Sequence, residues 1–137
     1  MKAAVLYAPH EQLKVEEFEC EEPGPTEVLD KIGASGVCHS DWHVIKGEWD
    51  HVPLPSILGH EGAGVVEAVG TNVVSVQVGD HVILSWKSSC GICEVCQKGW
   101  PNLCVYGPVV SSKLSVNGSG VEVDRMGGMG TFAEYQI

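Results

Sequence analysis

Positive charge is scarce in this sequence. Eight Lys and Arg stand against eighteen Asp and Glu, for a formal net charge of −10, so the clustered cationic groove that a nucleic-acid backbone requires is not expected. No apolar run approaches the ~20 residues that cross a bilayer, so no membrane partner is expected. The N-terminus, MKAAVLYAPHEQ, carries one lysine and an apolar stretch cut short at Pro9, too brief for the hydrophobic region of an export signal. This reads as a strand of a cytoplasmic protein. Internal repeats and long linkers are missing. No G-x-G-x-x-G turn follows a strand-like run, and GGMG at residues 127–130 leads into no helical pattern, so a dinucleotide-binding fold is not expected within these residues.

What is present is a length of 137 residues, 44% of them hydrophobic. That is one domain, long enough to take roughly two-thirds of its unfolded surface out of water. Short β-like runs dominate: KAAVLY at 2–7, LKVEEF at 13–18, EVLDKIGASG at 27–36, EGAGVVEAVG at 61–70 and VVSVQVGDHVILSW at 73–86, separated by glycine and proline turns. Such runs predict a mainly β fold, a small barrel or sandwich. One helix is predicted, over CHSDWHVIKG at 38–47, with Trp42 and Ile45 three apart and Gly47 closing it. Residues 105–130, rich in Gly and Ser, are expected to form an irregular excursion. TFAEYQI at 131–137 is a strand pattern that stops without turn or polar tail, which reads as part of a larger protein. Asp30 interrupts the apolar VLDKI run and is expected at an edge or facing solvent. Cys20 is expected to be a partly buried small side chain, and His10, His51 and His81 solvated turn or strand residues.

Four of the six cysteines fall within CGICEVCQKGWPNLC, residues 90–104. In a reducing compartment such crowding favours metal ligation over disulfides. Cys90, Cys93, Cys96 and Cys104 can surround one zinc tetrahedrally, at Zn–S distances of about 2.3 Å. An iron–sulfur run, C-x2-C-x2-C-x3-C-P, is the competing pattern, but here the last gap is seven and Pro101 precedes the fourth cysteine. Four thiolates leave no open coordination position, so this lobe is read as scaffolding.

A second, sparser set lies in GVCHSDWH, 36–43, and GHEGAGVVEAVG, 59–70. Cys38, His60 and Glu61 are ligand types that zinc accepts. At a helix start the Cys38 thiolate would also gain from the helix dipole. Singly each is weak: a lone cysteine is usually packed, and a histidine after glycine usually sits in a turn.

GHEGAGVVEAVGTNV fits the pattern G-H-E-x2-G-x5-G-x2-V, and GVCHSD and the four-cysteine lobe occur with it in the order and spacing of one family. The chain resembles the N-terminal catalytic domain of zinc-dependent medium-chain alcohol dehydrogenases over essentially its whole length. The resemblance implies a GroES-like, partly open β-barrel with a short helix and a zinc-binding lobe. It implies catalytic zinc on Cys38 and His60, with Glu61 an occasional or alternative ligand, and structural zinc on Cys90, Cys93, Cys96 and Cys104. It implies that Ser40 hydrogen-bonds the alcohol, that His43 passes its proton out by way of the cofactor ribose, that His39 meets the cofactor pyrophosphate, and that Asp41 orients the zinc-bound histidine. Trp49 and Trp86 fall where that family lines its substrate pocket, although as bare aromatics they also suit a core.

The implied activity is oxidation of an alcohol to an aldehyde or ketone by hydride transfer to NAD or NADP, in a cytoplasmic enzyme that forms homo-oligomers at full length. Two departures follow. The family takes its third zinc-binding cysteine from beyond residue 137, and its cofactor domain is not within these residues, so this chain alone is expected to be inactive. NGSGVEV at 117–123 and SWKSSCG at 85–91 are similar to the branch acting on formaldehyde adducts of small thiols, whereas Trp49 and Trp86 equally suit an aryl or medium-chain alcohol. The competing class is a non-catalytic zinc-stabilised module in which Cys38 and His60 are merely packed; zinc stoichiometry separates the two.

Overall fold

A computed structural model describes residues 1–106 and 113–137. Two antiparallel strand pairs and a closing segment build it. Strand β1 (Lys2–Leu6) pairs with β2 (Lys14–Glu17), and the long β3 (Val28–Gly36) pairs with β5 (Glu61–Val69), with bulges between Leu29 and Asp30 and between Ile32 and Ala34. Helix α1 (His39–Ile45) and β4 (Ser56–Ile57) lie between β3 and β5. Beyond them come β6 (His81–Ile83), α2 (Glu94–Gln97), β7 (Leu114–Ser115), β8 (Glu122–Arg125) and β9 (Tyr135–Gln136). The sheets run in the orders β2-β1-β4-β8-β7 and β6-β5-β3-β9.

The last segment joins the sheets. Ala4 N–H donates to the Phe132 carbonyl at 2.8 Å and Glu134 N–H to Lys2 at 2.9 Å, while Ile32 N–H donates to Glu134 at 2.9 Å and Gln136 lies opposite Asp30. Backbone groups on both sides of residues 131–136 are thus used, and the two sheets curl into a partly open barrel. The predicted mainly β architecture holds.

Side-chain alternation along the strands divides the core. Val5 and Ile57 enter one cluster with Phe18, Leu114 and Val123, whereas their neighbours Leu6 and Leu58 enter a second with Val44 and Met126. The second cluster seats α1 against the barrel. Each such burial contributes about 1.5–3 kcal/mol.

Several expectations are corrected. The run 73–86 yields strand only at His81–Ile83, because Gln77 and Asp80 close a turn, with Asp80 N–H donating to the Gln77 carbonyl at 3.1 Å, and Val74 is 96% exposed. The expected excursion 105–130 is partly regular: β7 and β8 pair, and Leu114, Val116 and Val123 are core residues. Its residues 107–112 lie outside the described residues. On α1 the buried positions are Asp41 and Val44, while Trp42 is exposed. Asp30 is neither at an edge nor in solvent: β3 is flanked by β5 and β9, and Asp30 is buried. Cys20 is exposed, since it follows β2 outside any regular element.

Candidate metal centres and the adjoining cavity

Helix α1 is flanked by Cys38 at its N-cap and Lys46 at its C-cap, after which Gly47 takes φ +70°, the left-handed conformation that stops a helix cheaply. Its first turn is fixed by Asp41, which is almost fully buried. Asp41 Oδ2 accepts the Cys38 N–H at 2.9 Å and Oδ1 accepts the Gly59 N–H at 2.9 Å. One carboxylate therefore ties the start of α1 to the start of β5. Gly59 has φ +89°, and a Cβ there would come within 2.6 Å of Thr131 Oγ1 and the Phe132 ring. Only glycine lets the chain turn tightly enough to present His60 beside the helix.

The result is convergence. Ligand atoms of Cys38, His60 and Glu61 all lie within 4.8 Å of one another, with His60 buried, Cys38 half-buried and Glu61 exposed. His60 Nδ1 is 3.5 Å from Asp41 Oδ1 and has no hydrogen-bond partner. An orphaned buried ring nitrogen of this kind is costly unless the histidine is oriented for a further ligand. With Nδ1 turned to Asp41, Nε2 is left for ligation. Soft sulfur, imidazole and carboxylate together fit zinc.

Ser40 Oγ lies 3.6 Å from Cys38 Sγ. His39 is exposed, its ring 4.7 Å from that of His43. Glu48 binds His43 Nδ1, and the imidazole stacks on Trp49 at 5.4 Å with 14° between planes. Lys46 and then His43 hold the Glu48 carboxyl below its usual range. Ser40 and His43 are not hydrogen-bonded to each other.

Trp86 tilts over His60, ring centroids 4.2 Å apart. Trp49 and Trp86 both line a cavity of about 360 Å³, together with Val52, Pro53, Met126 and the backbone turn at Gly127. The two aromatics that the sequence singled out thus flank one cavity, each also touching a histidine of the metal cluster or of α1. Neither is a fully buried core residue. His51 is exposed in a turn, as expected, and also shares this lining, 5.3 Å from Trp49. His10 and His81 are exposed.

In the second cluster the ligand atoms of Cys90, Cys93, Cys96 and Cys104 also lie within 4.8 Å of one another. Backbone amides point at the sulfurs: Cys93 N–H to Cys90 Sγ at 3.3 Å, Cys90 N–H to Cys104 Sγ at 3.3 Å and Cys96 N–H to Cys93 Sγ at 3.5 Å. The Cys96 amide draws the Cys93 thiol down to about 6, and the Cys90 amide lowers Cys104. Burial, then the facing Cys93 sulfur, pushes Cys96 up to about 12. Four crowded sulfurs cannot all ionise without a cation between them. Around them, from residue 90 to 106, only Cys93 and Cys104 are buried, so the lobe has no apolar core of its own.

Sequence reasoning missed the supporting cast. Glu48 is five residues from His43, not a helical spacing. Gly59 and Thr131 act through backbone geometry, Thr131 N–H donating to the Gly59 carbonyl at 3.0 Å; GHE carried that signal only as a pattern.

A family model described as the alcohol dehydrogenase GroES-like domain matches residues 24–137. An alcohol dehydrogenase of Moraxella sp. (strain TAE123) is 44% identical over 124 residues, 89% of this chain and 36% of that protein. An S-(hydroxymethyl)glutathione dehydrogenase of Haemophilus influenzae is 39% identical over 145 aligned residues, 99% of this chain and 38% of that protein. The crystal structure of a benzyl alcohol dehydrogenase from Acinetobacter calcoaceticus superposes with a TM-score of 0.81 at 36% identity, covering 98% of this chain and 38% of that one. An alcohol dehydrogenase zinc-binding domain protein from Burkholderia ambifaria gives 0.86 at 34% identity, with 98% and 38% covered. The chain thus spans less than two-fifths of the length of these relatives.

Proposed function

The chain belongs to the alcohol dehydrogenase GroES-like domain family, and from that membership we propose that it is the alcohol-holding part of a zinc-dependent alcohol dehydrogenase. The whole protein would oxidise an alcohol to an aldehyde or ketone with NAD or NADP as hydride acceptor, the nucleotide being held by a further domain. The observation that carries this reading is the convergence of Cys38, His60 and Glu61 beside a cavity walled by Trp49 and Trp86. A closed all-cysteine site alone would serve a passive module equally well; an open three-donor cluster next to an apolar cavity favours chemistry.

Cys38 and His60 would hold a zinc ion, which would supply Lewis acidity toward an alcohol oxygen, with a bound nicotinamide as the hydride acceptor. The chain's own residues do the rest. Trp49, Val52, Pro53, Trp86 and Met126 enclose the carbon skeleton and exclude water. Their apolar character, against which Asp124 and Arg125 supply a polar part of the lining, favours an aryl or medium-chain alcohol. Ser40, beside Cys38 Sγ, takes the alcohol proton. His43 lies one helical turn further on, where i and i+3 are neighbours. Glu48 binds Nδ1 of that ring, which fixes the proton there and leaves Nε2 free to accept another. Since Ser40 and His43 are not directly bonded, the proton crosses by an intervening hydroxyl or water. His39, exposed at the same helix end, is placed to meet cofactor phosphate. Asp41, whose Oδ1 faces His60 Nδ1 at 3.5 Å, is placed to orient that imidazole. Cys90, Cys93, Cys96 and Cys104 would hold the structural zinc.

Among the described residues no helix is long and apolar enough to cross a membrane. By its family membership the whole protein would be a cytoplasmic homo-oligomer acting on small molecules, and the charge of −10 argues against a nucleic-acid partner. The test is nicotinamide reduction by the full-length protein with a panel of aliphatic and aryl alcohols. Activity lost on chelation and in Cys38→Ala is expected; a zinc-loaded protein that reduces neither NAD nor NADP with any alcohol contradicts the reading.

A further inference from the structure

Gly36 ends β3 directly opposite Glu61, the first residue of β5. Glycine weakens a strand, having no side chain to pack, so its presence in one calls for a reason. Backbone conformation is not that reason: Gly36 is absent from the glycines with positive φ. The Glu61 side chain is. It folds across the bare Cα, such that a Cβ at position 36 would overlap Glu61 Oε2 and stand 3.1 Å from its Cβ and 3.4 Å from its Cδ. The same carboxylate is one of the three donors converging with Cys38 and His60. An exposed glutamate gains hydration by turning outward, so something must leave the inward path open.

We propose that Gly36 is a positioning residue for the metal: its missing side chain is the passage along which the Glu61 carboxylate reaches a cation held by Cys38 and His60. The inference rests on the reading that a metal occupies this cluster. The severe overlap falls on the far end of a flexible side chain, and the 3.1 Å approach to Glu61 Cβ asks a few tenths of an ångström of the strand pair, so alanine at 36 keeps the fold and turns Glu61 outward. The donor set then loses one carboxylate while the β3–β5 pairing persists.

The experiment is zinc affinity by chelator competition on the full-length protein, comparing wild type, Gly36→Ala, Glu61→Ala and the double variant, with the lobe zinc as an internal marker of folding. Gly36→Ala is expected to weaken the second site on the order of 10- to 100-fold, the scale for losing a group that supports a metal site. Glu61→Ala should do the same, and the double variant should be no weaker than Glu61→Ala alone, because without the carboxylate the methyl displaces nothing. Unchanged affinity in Gly36→Ala, or losses that add in the double variant, overturns the proposal. So does loss of the lobe zinc in Gly36→Ala that Glu61→Ala does not relieve. A wild type holding zinc only in the lobe overturns the metal reading and this inference together; a wild type with two zincs and an indifferent Gly36→Ala overturns this inference alone.

Discussion

Asp41 shows how a few atoms decide the site. Its two oxygens take the N–H groups of Cys38 and Gly59 and face His60, so a single buried carboxyl sets the separation of Cys38 and His60. Ser40 is different in kind: among the described residues its hydroxyl pairs with the Cys38 sulfur, at 3.6 Å, and with no backbone group. Ser40→Ala in the full-length protein is therefore expected to lower alcohol turnover by roughly 100-fold or more while zinc content stays unchanged; steady-state kinetics and metal analysis on one preparation check this. Asp30 is a third case. Burial raises its pKa above the ordinary 3.8, and Oδ1 has no hydrogen-bond partner. The penalty for ionising it in the fold is absent below the ordinary value, sets in as pH rises through it, and is complete above the raised one. Asp30→Asn should stabilise the protein by on the order of 1 kcal/mol at pH 7, a gain that narrows toward pH 4, as the difference in urea midpoints against wild type reports.

The elements differ in how they are held. Hydrophobic packing seats α1 through Val44, Leu58 and Met126, whereas the cysteine lobe has only its sulfurs. Chelation should accordingly open residues 90–106 to protease while the barrel strands keep their hydrogen-exchange protection. The lobe's zinc affinity should also fall between pH 8 and pH 6, because thiols must lose protons to bind and Cys96 holds its proton most strongly. Sequence pattern located the strands at 2–7, 13–18, 27–36 and 61–70 because each alternates or is bounded by turns. It overran at 73–86, where valines mimic a strand but the Gln77–Asp80 turn and solvent claim them. It missed β7 and β8, because strands of two and four residues inside a glycine-rich stretch leave no period to detect.

At the scale of the whole molecule the barrel exists because residues 131–136 serve both sheets at once, which no local pattern announces. The donors were legible since cysteine and histidine are conspicuous and their spacing within CGICEVCQKGWPNLC and GHE is tight. The cavity was legible only as two tryptophans; that Gly127 and Met126 complete it depends on the same long-range closure. Asp30 was misplaced for the same reason, its burial being imposed by β9. The central claim is that Cys38 and His60 share a cation distinct from that of the lobe. Metal analysis of the purified full-length protein tests it most directly: two zinc ions per chain, falling to one in Cys38→Ala, are predicted, and one zinc per chain in both would contradict it.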